Sequence, residues 1–462
     1  MLLDNTIVAL ATPSGTGAIG IIRVSGINAI QISSKCFESH RGIDIINQSS
    51  HKTFLGWIKD GDRLIDKVLL TLFKGPNSYT GEDIVEISCH GSSYILQEIL
   101  HLIVKKGAIP AKTGEFTLRA FLNNKMDLSQ AEAVSDLIKS ESKAAHELAI
   151  NQIRGGYSKN IKDLRNQLIH FASMIALELD FSEEDVEFAN RTDFLKLLET
   201  IETQLKQLSE SFAYGSVIKN GVPVAILGKP NSGKSSLLNA LVNEEKAIVS
   251  EIEGTTRDSI EDTLIIDGIQ FRFIDTAGLR ETSDKIESIG VKRAIENAKK
   301  AKILIFMYDV TDIDYKGIIH QLKSILSLKK PIILLQNKMD IFSGNDKTKS
   351  LINQTFSSIS SPISMITHKK ESIELLKNKL ISIVSEIGND SQTIVTNVRH
   401  HNSLQKALKE IILVKKGMKN KVSGDLLSVD INLAIESLGE ITGEINSDDI
   451  LGNIFKNFCI GK

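Results

Sequence analysis

The sequence predicts a multidomain protein of α/β plus α class, in which a doubly wound α/β domain is inserted into a discontinuous helical domain. Three observations support this prediction. Short β-branched runs separated by glycine and turn residues fill roughly the first 120 residues. Long helical periodicities begin near Leu128 and return after about Asn389. Between them, from about Val222, strands alternate with helices, which is typical of a parallel sheet covered by helices.

Length and composition narrow the functional classes. The 462 residues suggest about three domains at ~150 residues each, and the formal charge of -2 argues against coating nucleic acid by overall basicity, although a local basic face is compatible with it. The three cysteines form no C-x-x-C, so we expect a reducing compartment without a disulfide or zinc framework. The N-terminus lacks a signal-peptide pattern and no apolar run approaches the ~20 residues of a membrane span, so we expect a cytoplasmic protein.

The first segment, residues 1–120, predicts a small α+β domain. Its strand-like runs include Gly20–Val24 and Ile84–Ser88, and a helical pattern covers Tyr94–Lys105. Residues Gly15–Gly20 satisfy G-x-G-x-x-G, but a β-branched run follows them, so we interpret them as a loop between strands and not as a dinucleotide site. Cys89 and His90 are adjacent on a predicted strand, so their side chains should point to opposite faces.

The helical domain is predicted in two pieces, residues 121–216 and 383–462, with residues 217–382 inserted between them. Such insertion is physically mild because inserted domains have their termini close together. The first piece has apolar residues at three- and four-residue steps, which predict one buried stripe of a bundle helix. These positions are Ile161, Leu164, Leu168, Phe171 and Ile175.

The inserted domain carries a phosphate-binding loop. Gly228–Ser235 reads G-K-P-N-S-G-K-S, follows a predicted strand and opens a predicted helix, which is the context that the G-x-x-x-x-G-K-[ST] motif requires. Its glycines let backbone N–H groups surround phosphates at a helix N-terminus. Lys234 would reach the β- and γ-phosphates, and the Ser235 hydroxyl would ligate Mg²⁺.

Two further motifs indicate a guanine nucleotide. Asp275–Gly278 supplies D-x-x-G after a predicted strand, and Asn337–Asp340 supplies N-K-x-D after another. A carboxylate at Asp340 accepts from the guanine N1–H and 2-amino groups, which adenine lacks on that edge, so GTP is favoured over ATP. Leu279 stands where Ras-type enzymes carry a water-orienting glutamine. Glu287 is a candidate replacement, but the sequence alone favours the alternative that it is a solvated helix carboxylate.

Motifs inside and outside the inserted domain resemble the MnmE (TrmE) family of tRNA-modification GTPases over the whole chain. They are the segments Gly75–Asp83, Phe121–Lys125, Asp448–Gly452 and Phe458–Lys462, together with the G-T-T-R-D run Gly254–Asp258. The resemblance implies a homodimer that works with the flavoprotein MnmG. Together they would add an aminomethyl or carboxymethylaminomethyl group at the 5-position of wobble uridine in certain tRNAs. The carbon would come from a tetrahydrofolate, in the 5,10-methylene or 5-formyl form.

The same resemblance implies site residues. The N-terminal domain would bind the folate and form the dimer, with Arg23, Glu86, Lys125 and Lys462 at the folate site. Glu287 would orient water and be catalytic together with Lys234, and Thr256 would join Ser235 at Mg²⁺. Potassium would replace an arginine finger between paired GTPase domains, at the positions Asn231, Ser250, Ile252 and Thr255. The expected GTP-binding residues are Asn231, Ser232, Gly233, Lys234, Ser235, Ser236, Ser250, Glu251, Ile252, Glu253, Gly254, Thr255, Thr256, Asp275, Thr276, Ala277, Gly278, Asn337, Lys338 and Asp340.

Several interpretations stay open at this point. The fifth guanine loop, which the family writes as S-A-[KR], reads Ser364-Met365-Ile366 here, so its contact with the base is less secure. Cys459 is interpreted as a buried small hydrophobe, with a catalytic thiol as the alternative. Lipidation is disfavoured, because the residues Ile460-Gly461-Lys462 that follow it lack a second aliphatic residue and end in lysine. The helix at about Ile450–Asn457 should be docked if Lys462 reaches the N-terminal domain. A ribosome-assembly or signalling switch is the alternative function, because the GTPase motifs serve both.

Overall fold

A computed structural model provides the structure of the chain. It describes residues 5–180, 191–245, 262–274, 295–312, 314–342, 361–367, 369–388, 393–445 and 448–456, with single positions at 350, 352, 354, 355, 458, 459 and 461. None of the helices in these ranges is both long and apolar enough to cross a membrane.

The described residues form strands and helices of both kinds, so the mixed α/β class is confirmed. The strands are β1 Ile7–Leu10, β2 Ile19–Ser25, β3 Phe37–Ser39, β4 Lys52–Asp60, β5 Arg63–Phe73, β6 Ile84–His90, β7 Ile109–Pro110, β8 Val222–Leu227, β9 Asp262–Ile266, β10 Ile269–Phe273, β11 Ile303–Asp309, β12 Ile332–Asn337 and β13 Ile363–Ser364. The helices are α1 Ala29–Ser34, α2 Ser93–Lys105, α3 Glu115–Leu122, α4 Leu128–Ile138, α5 Lys143–Ile153, α6 Gly156–Asp180, α7 Arg191–Asn220, α8 Lys234–Glu245, α9 Tyr315–Leu326, α10 Lys370–Ile387, α11 Val398–Lys419, α12 Gly424–Thr442 and α13 Asp448–Phe455. Residues 295–300 are also helical.

The chain divides into two compact units. The first contains Met1–Ile138, Gln152–Ala189 and Ser423–Lys462, and the second contains Lys139–Asn151 and Asn190–Val422. The helices that the sequence groups into one discontinuous domain are therefore shared between the units, with α4, α6 and α12 in the first and α7 and α11 in the second. The division into four domains stays a prediction.

The first unit is built on a seven-stranded sheet with the order β3-β4-β5-β6-β2-β1-β7. Its neighbours pair antiparallel except β1 and β7, which are parallel. Alternation along β6 turns Val85, Ile87 and Cys89 into the core, whereas Glu86 and His90 lie on the other face. The expectation that Cys89 and His90 point apart is confirmed, and burial raises the pKa of the Cys89 thiol to about 11.

The helices of the first unit include the stripe predicted on α6. Ile161, Leu164, Leu168, Phe171 and Ile175 are all buried, and α6 packs along α12. Burying each of these side chains contributes about 1.5–3 kcal/mol. The stripe is therefore confirmed as the buried face of a long helix.

The second unit is built on a six-stranded sheet with the order β13-β12-β11-β8-β10-β9, parallel throughout except for the β9–β10 pair. One face of β8 and β11, which includes Val222 and Val224, packs against α8 and α10. The opposite face of these strands packs against α9. Covered on both faces, the strands are almost wholly apolar, as parallel strands usually are. The doubly wound sheet predicted for this region is present.

Candidate nucleotide-binding site

The phosphate-binding loop joins β8 to α8 at the carboxyl edge of the sheet, where ligands of doubly wound folds bind. Gly228 and Gly233 have φ values of +145° and +101°, which favour glycine. A side chain at Gly228 would collide with the backbone of Met307, and one at Gly233 with the amide of Asn337. The loop can therefore follow this path only with glycine at both positions, which leaves its backbone free to approach phosphate.

Lys234 is already folded against the loop. Its Nζ donates to the carbonyl oxygens of Gly228 at 2.9 Å and Lys229 at 2.6 Å. Burial lowers the pKa of Lys234 to about 8. A buried ammonium beside carbonyl oxygens alone is an unfavourable arrangement that an approaching phosphate would relieve.

Asn337 connects the two predicted motifs. Its Nδ2 donates to the backbone oxygen of Ser232 at 2.9 Å, and both residues are buried. β11 lies between β8 and β12, so the carboxyl ends of the strands that carry the two motifs converge. The structure thus brings the P-loop and the N-K-x-D loop together, as their order in the sequence predicts.

The N-K-x-D loop has a second anchor that sequence reasoning missed. Lys338 Nζ forms an ion pair with Asp309 Oδ2 at 2.5 Å, at the end of β11. Burial alone would raise the pKa of Asp309, but hydrogen bonds from Lys338 and Thr311 outweigh it and hold that pKa below its usual value. Asp340 is exposed, so its carboxylate is available to a base.

Lys229 holds the other side of the P-loop. Its Nζ lies 2.9 Å from Asp312 Oδ2 and 2.8 Å from Asp314 Oδ2, and Asp314 also caps α9 by accepting from the Gly317 N–H at 3.0 Å. A cavity of about 150 Å³ opens beside these residues and is lined in part by Ser232. The P-loop motif does not predict that Lys229 pairs with these aspartates, because the motif defines no position for them in the sequence.

The divergent fifth loop lies beside β12. Met365 N–H donates to the Gln336 carbonyl at 2.8 Å, and Gln336 Nε2 donates to Ser364 Oγ at 2.5 Å. Ser364 therefore lies on the strand next to the one that carries the N-K-x-D loop, although the fifth loop lacks the family's S-A-[KR] consensus.

Many predicted nucleotide and metal residues lie outside the described residues. The sequence predictions at these positions therefore stay predictions. They are Ser250, Glu251, Ile252, Glu253, Gly254, Thr255, Thr256, Asp275, Thr276, Ala277, Gly278 and Glu287, and Lys462 of the folate set is also among them.

In the first unit, the structure brings together part of the predicted folate set. Arg23 and Glu86 are cross-strand partners on β2 and β6, and Arg23 Nε donates to Glu86 Oε1 at 2.8 Å. The guanidinium also lies 5.5 Å and 5.7 Å from the ring centres of Tyr79 and Phe116. This combination of a cation, a carboxylate and two rings can take a flat polar ligand.

The C-terminal segment reaches this place within the same chain. Arg23 Nη1 donates to the carbonyl of Gly461 at 3.3 Å, and Gly114 N–H donates to the carbonyl of Cys459 at 3.4 Å. Phe455 and Phe458 are buried against α4, so the expectation of a docked helix is confirmed. Cys459 is exposed, and the interpretation of it as a buried hydrophobe is wrong, because the two phenylalanines take the apolar positions.

Lys125 lies at a different contact. Its side chain is exposed and Nζ donates to the carbonyl of Pro76 at 2.7 Å. Pro76 begins the same loop that places Tyr79 against Arg23, and Arg119, missed from the sequence, holds Glu82 of that loop at 3.0 Å. Lys125 is therefore connected to Arg23 through the loop that contains Pro76 and Tyr79, and its recorded hydrogen bond is to that loop and not to Arg23.

The fold and the paired loops define a P-loop nucleotide-binding protein of the guanine type. Family models described as "MnmE helical domain" and "GTP-binding protein TrmE N-terminus" match residues 128–459 and 6–125. Curated proteins named "tRNA modification GTPase MnmE" match at full length. The one from Flavobacterium psychrophilum is 53% identical over 468 residues, covering 100% of both chains. The one from Bacteroides thetaiotaomicron is 48% identical, covering 99% of this chain and 100% of its own.

The chain belongs to the MnmE family of tRNA modification GTPases. This membership confirms the resemblance drawn from the sequence motifs and the GTPase class predicted from the P-loop and N-K-x-D. It also disfavours the alternative of a ribosome-assembly or signalling switch.

Proposed function

We propose that this chain hydrolyses GTP and, with the flavoprotein MnmG, adds an aminomethyl or carboxymethylaminomethyl group at the 5-position of wobble uridine in certain tRNAs. The observation that carries the nucleotide part is the Asn337–Ser232 hydrogen bond, which joins the base-reading loop to the phosphate-binding loop. Family membership supports the tRNA part. Acting on tRNA, the enzyme would work in the cytoplasm.

GTP would occupy the edge of the sheet between the two loops. Lys234 would hold the β- and γ-phosphates, and its ammonium would become more stable in their negative field. Asp340 would accept from the guanine N1–H and 2-amino groups, and its exposure beyond β12 suits that role. Lys338, tied to Asp309, would be held close to the base.

The P-loop would supply some of the ligands of Mg²⁺ and K⁺. Ser235 opens α8, where its hydroxyl would ligate Mg²⁺ together with Thr256, and Mg²⁺ would neutralise charge that develops on the phosphates. Asn231 has a φ of +62° in the loop and would help to hold K⁺, with Ser250, Ile252 and Thr255. Glu287 would orient the attacking water.

The carbon for the modification would come from a tetrahydrofolate, in the 5,10-methylene or 5-formyl form, bound in the first unit. Glu86 would accept from N–H groups of the pterin, and Arg23, Lys125 and Lys462 would attract the glutamate tail. Arg23 pairs with Glu86, so both groups lie close enough to contact the same ligand.

The domain arrangement is proposed as well. Residues 1–120 would bind folate and form the homodimer, residues 121–216 and 383–462 would make one helical domain, and residues 217–382 would be the GTPase domain. The uninterrupted family match over residues 128–459 supports a helical domain that resumes after the GTPase domain.

The nucleotide assignment is tested by measuring hydrolysis of GTP and ATP by the purified chain with Mg²⁺ and K⁺. We expect GTP turnover with at least a hundredfold preference over ATP, because adenine lacks the N1–H and 2-amino donors that would pair with the Asp340 carboxylate. Equal turnover of the two nucleotides would contradict the guanine assignment. The Lys234→Ala variant is the control for contaminating activity.

A further inference from the structure

The outward face of α11 in the second unit is strongly basic. Between Val398 and Lys419 the chain has six lysines and arginines and one glutamate, although the whole protein has 55 basic and 57 acidic residues. The opposite face of α11 buries Leu404, Ile411 and Val414. The exposed face carries four lysines, at positions Lys406, Lys409, Lys416 and Lys419.

Neutralisation of charge on α11 is uneven. Lys415, on the side facing α7, lies 2.9 Å from Glu202 and 3.3 Å from Glu199. On the outward face, Lys409 has its neighbour Glu410 at 3.5 Å. In the described ranges of the chain, no acidic side chain forms an ion pair with Lys416 or Lys419. The helix thus balances its inner lysine, whereas the charges of Lys416 and Lys419 meet no acidic side chain in the part of the chain that the structure describes.

The spacing of the outward lysines suits a nucleic-acid backbone. Lys406 and Lys419 are 13 residues apart, which is about 20 Å along a helix at 1.5 Å per residue. A duplex carries about one phosphate charge per 1.7 Å of its axis with both strands counted, so about 20 Å of duplex carries on the order of ten phosphates, of which only those on the near side face the helix. Four lysines on about 20 Å of exposed helix can therefore contact several phosphates at once.

We propose that the outward face of α11 binds the sugar–phosphate backbone of the tRNA substrate. The proposal rests on the function proposed above, because family membership is what names tRNA as the polyanion. Contacts of this kind are independent of sequence and set the position of the RNA on the protein, while recognition of the base falls to other groups. The face would thus hold tRNA and would not take part in the chemistry.

The test measures the affinity of the full-length protein for a tRNA transcript by fluorescence anisotropy at several KCl concentrations. The variants are Lys416→Gln/Lys419→Gln and the quadruple variant that adds Lys406→Gln and Lys409→Gln. The matched control is Lys316→Gln/Lys323→Gln, which removes two exposed lysines of α9 in the same unit. GTP turnover, measured in parallel, reports that each variant is folded.

We expect the slope of log K against log salt to become shallower by about 0.7–0.9 for each lysine that contacts a phosphate. At ~0.1 M salt the double variant should bind about tenfold or more weakly, and the control should match the wild type. If both lysine variants keep the wild-type affinity and slope, the proposal is overturned. If both lysine variants bind tRNA normally but retain less purified MnmG in a pull-down, the face, with exposed Leu413, docks a protein instead and the proposal is overturned. If the wild type does not bind tRNA, the proposed function itself fails.

Discussion

Nucleotide binding should be coupled to protonation of Lys234. Burial lowers the pKa of this lysine to about 8 in the free protein, and the two carbonyl oxygens around Nζ do not restore it. The phosphates of GTP raise that pKa because they stabilise the ammonium. Binding near pH 8 should therefore take up a fraction of a proton, and this fraction should increase toward one at higher pH and decrease toward zero at lower pH.

The sign of the pH dependence follows from the same shift. Below pH 8 the lysine is charged in both the free and the bound protein, so affinity is nearly independent of its titration. Above pH 8 the free protein must be protonated in order to bind, which costs about 1.4 kcal/mol per pH unit and weakens affinity about tenfold per unit. This weakening continues until the pKa of the bound state is reached.

Isothermal titration calorimetry with GTP in two buffers of different ionisation enthalpy measures the proton uptake directly. Work at pH 7.5–8.5 avoids both the last phosphate proton, whose pKa is about 6 for a phosphate monoester, and ionisation of the guanine N1–H at higher pH. The Lys234→Arg variant is the matched control, because arginine stays charged and should bind without uptake. Wild-type binding at pH 8.5 with no uptake would mean that Lys234 is already fully charged in the free loop, and the reasoning from burial would be wrong.

Four further outcomes are expected. Asp340→Asn should weaken GTP binding and shift preference toward xanthosine triphosphate, because an amide donates to the 2-oxo group, and unchanged relative affinities in competition binding would refute this. Hydrolysis should be faster in K⁺ than in Na⁺ at equal ionic strength, and equal turnover in the two salts would argue against a K⁺ site. Glu287→Ala should slow turnover by ~10²-fold or more at near-normal GTP affinity. Normal turnover of this variant would mean that Glu287 is a solvated carboxylate. Deleting Cys459–Lys462, or Arg23→Ala, should weaken reduced-folate binding by calorimetry, the latter by ~1.5–3 kcal/mol, with GTP binding intact. Wild-type folate affinity in both would mean that these residues do not share a site.

The sequence was sufficient to predict the nucleotide loops because their motifs are local and their place in a doubly wound sheet is fixed by topology. The contact between Asn337 and Ser232 follows from that topology alone. Asp309 and Asp312 were missed because an isolated aspartate after an apolar strand has no motif. Their pairing with Lys338 and Lys229 depends on side-chain directions that only the folded strand ends define.

In the first unit, the residues of the folate set could be named only through the resemblance. Arg23 and Glu86 are on β2 and β6, and three strands intervene in the sequence, so a single sequence does not reveal their pairing. Periodicity correctly predicted that α6 has a buried stripe, but periodicity does not say which unit covers it. The exposure of Cys459 was missed because Phe455 and Phe458 compete for the same apolar surface.

The central claim is that this chain modifies wobble uridine in a GTP-dependent reaction. Its most direct test is mass spectrometry of tRNA nucleosides from cells in which this chain is deleted, complemented with the wild type or with Lys234→Ala. We expect deletion to remove the aminomethyl and carboxymethylaminomethyl uridines, the wild type to restore them, and Lys234→Ala, expressed at an equal level, to leave them absent. Unchanged nucleosides after deletion, or full restoration by Lys234→Ala, would contradict the claim.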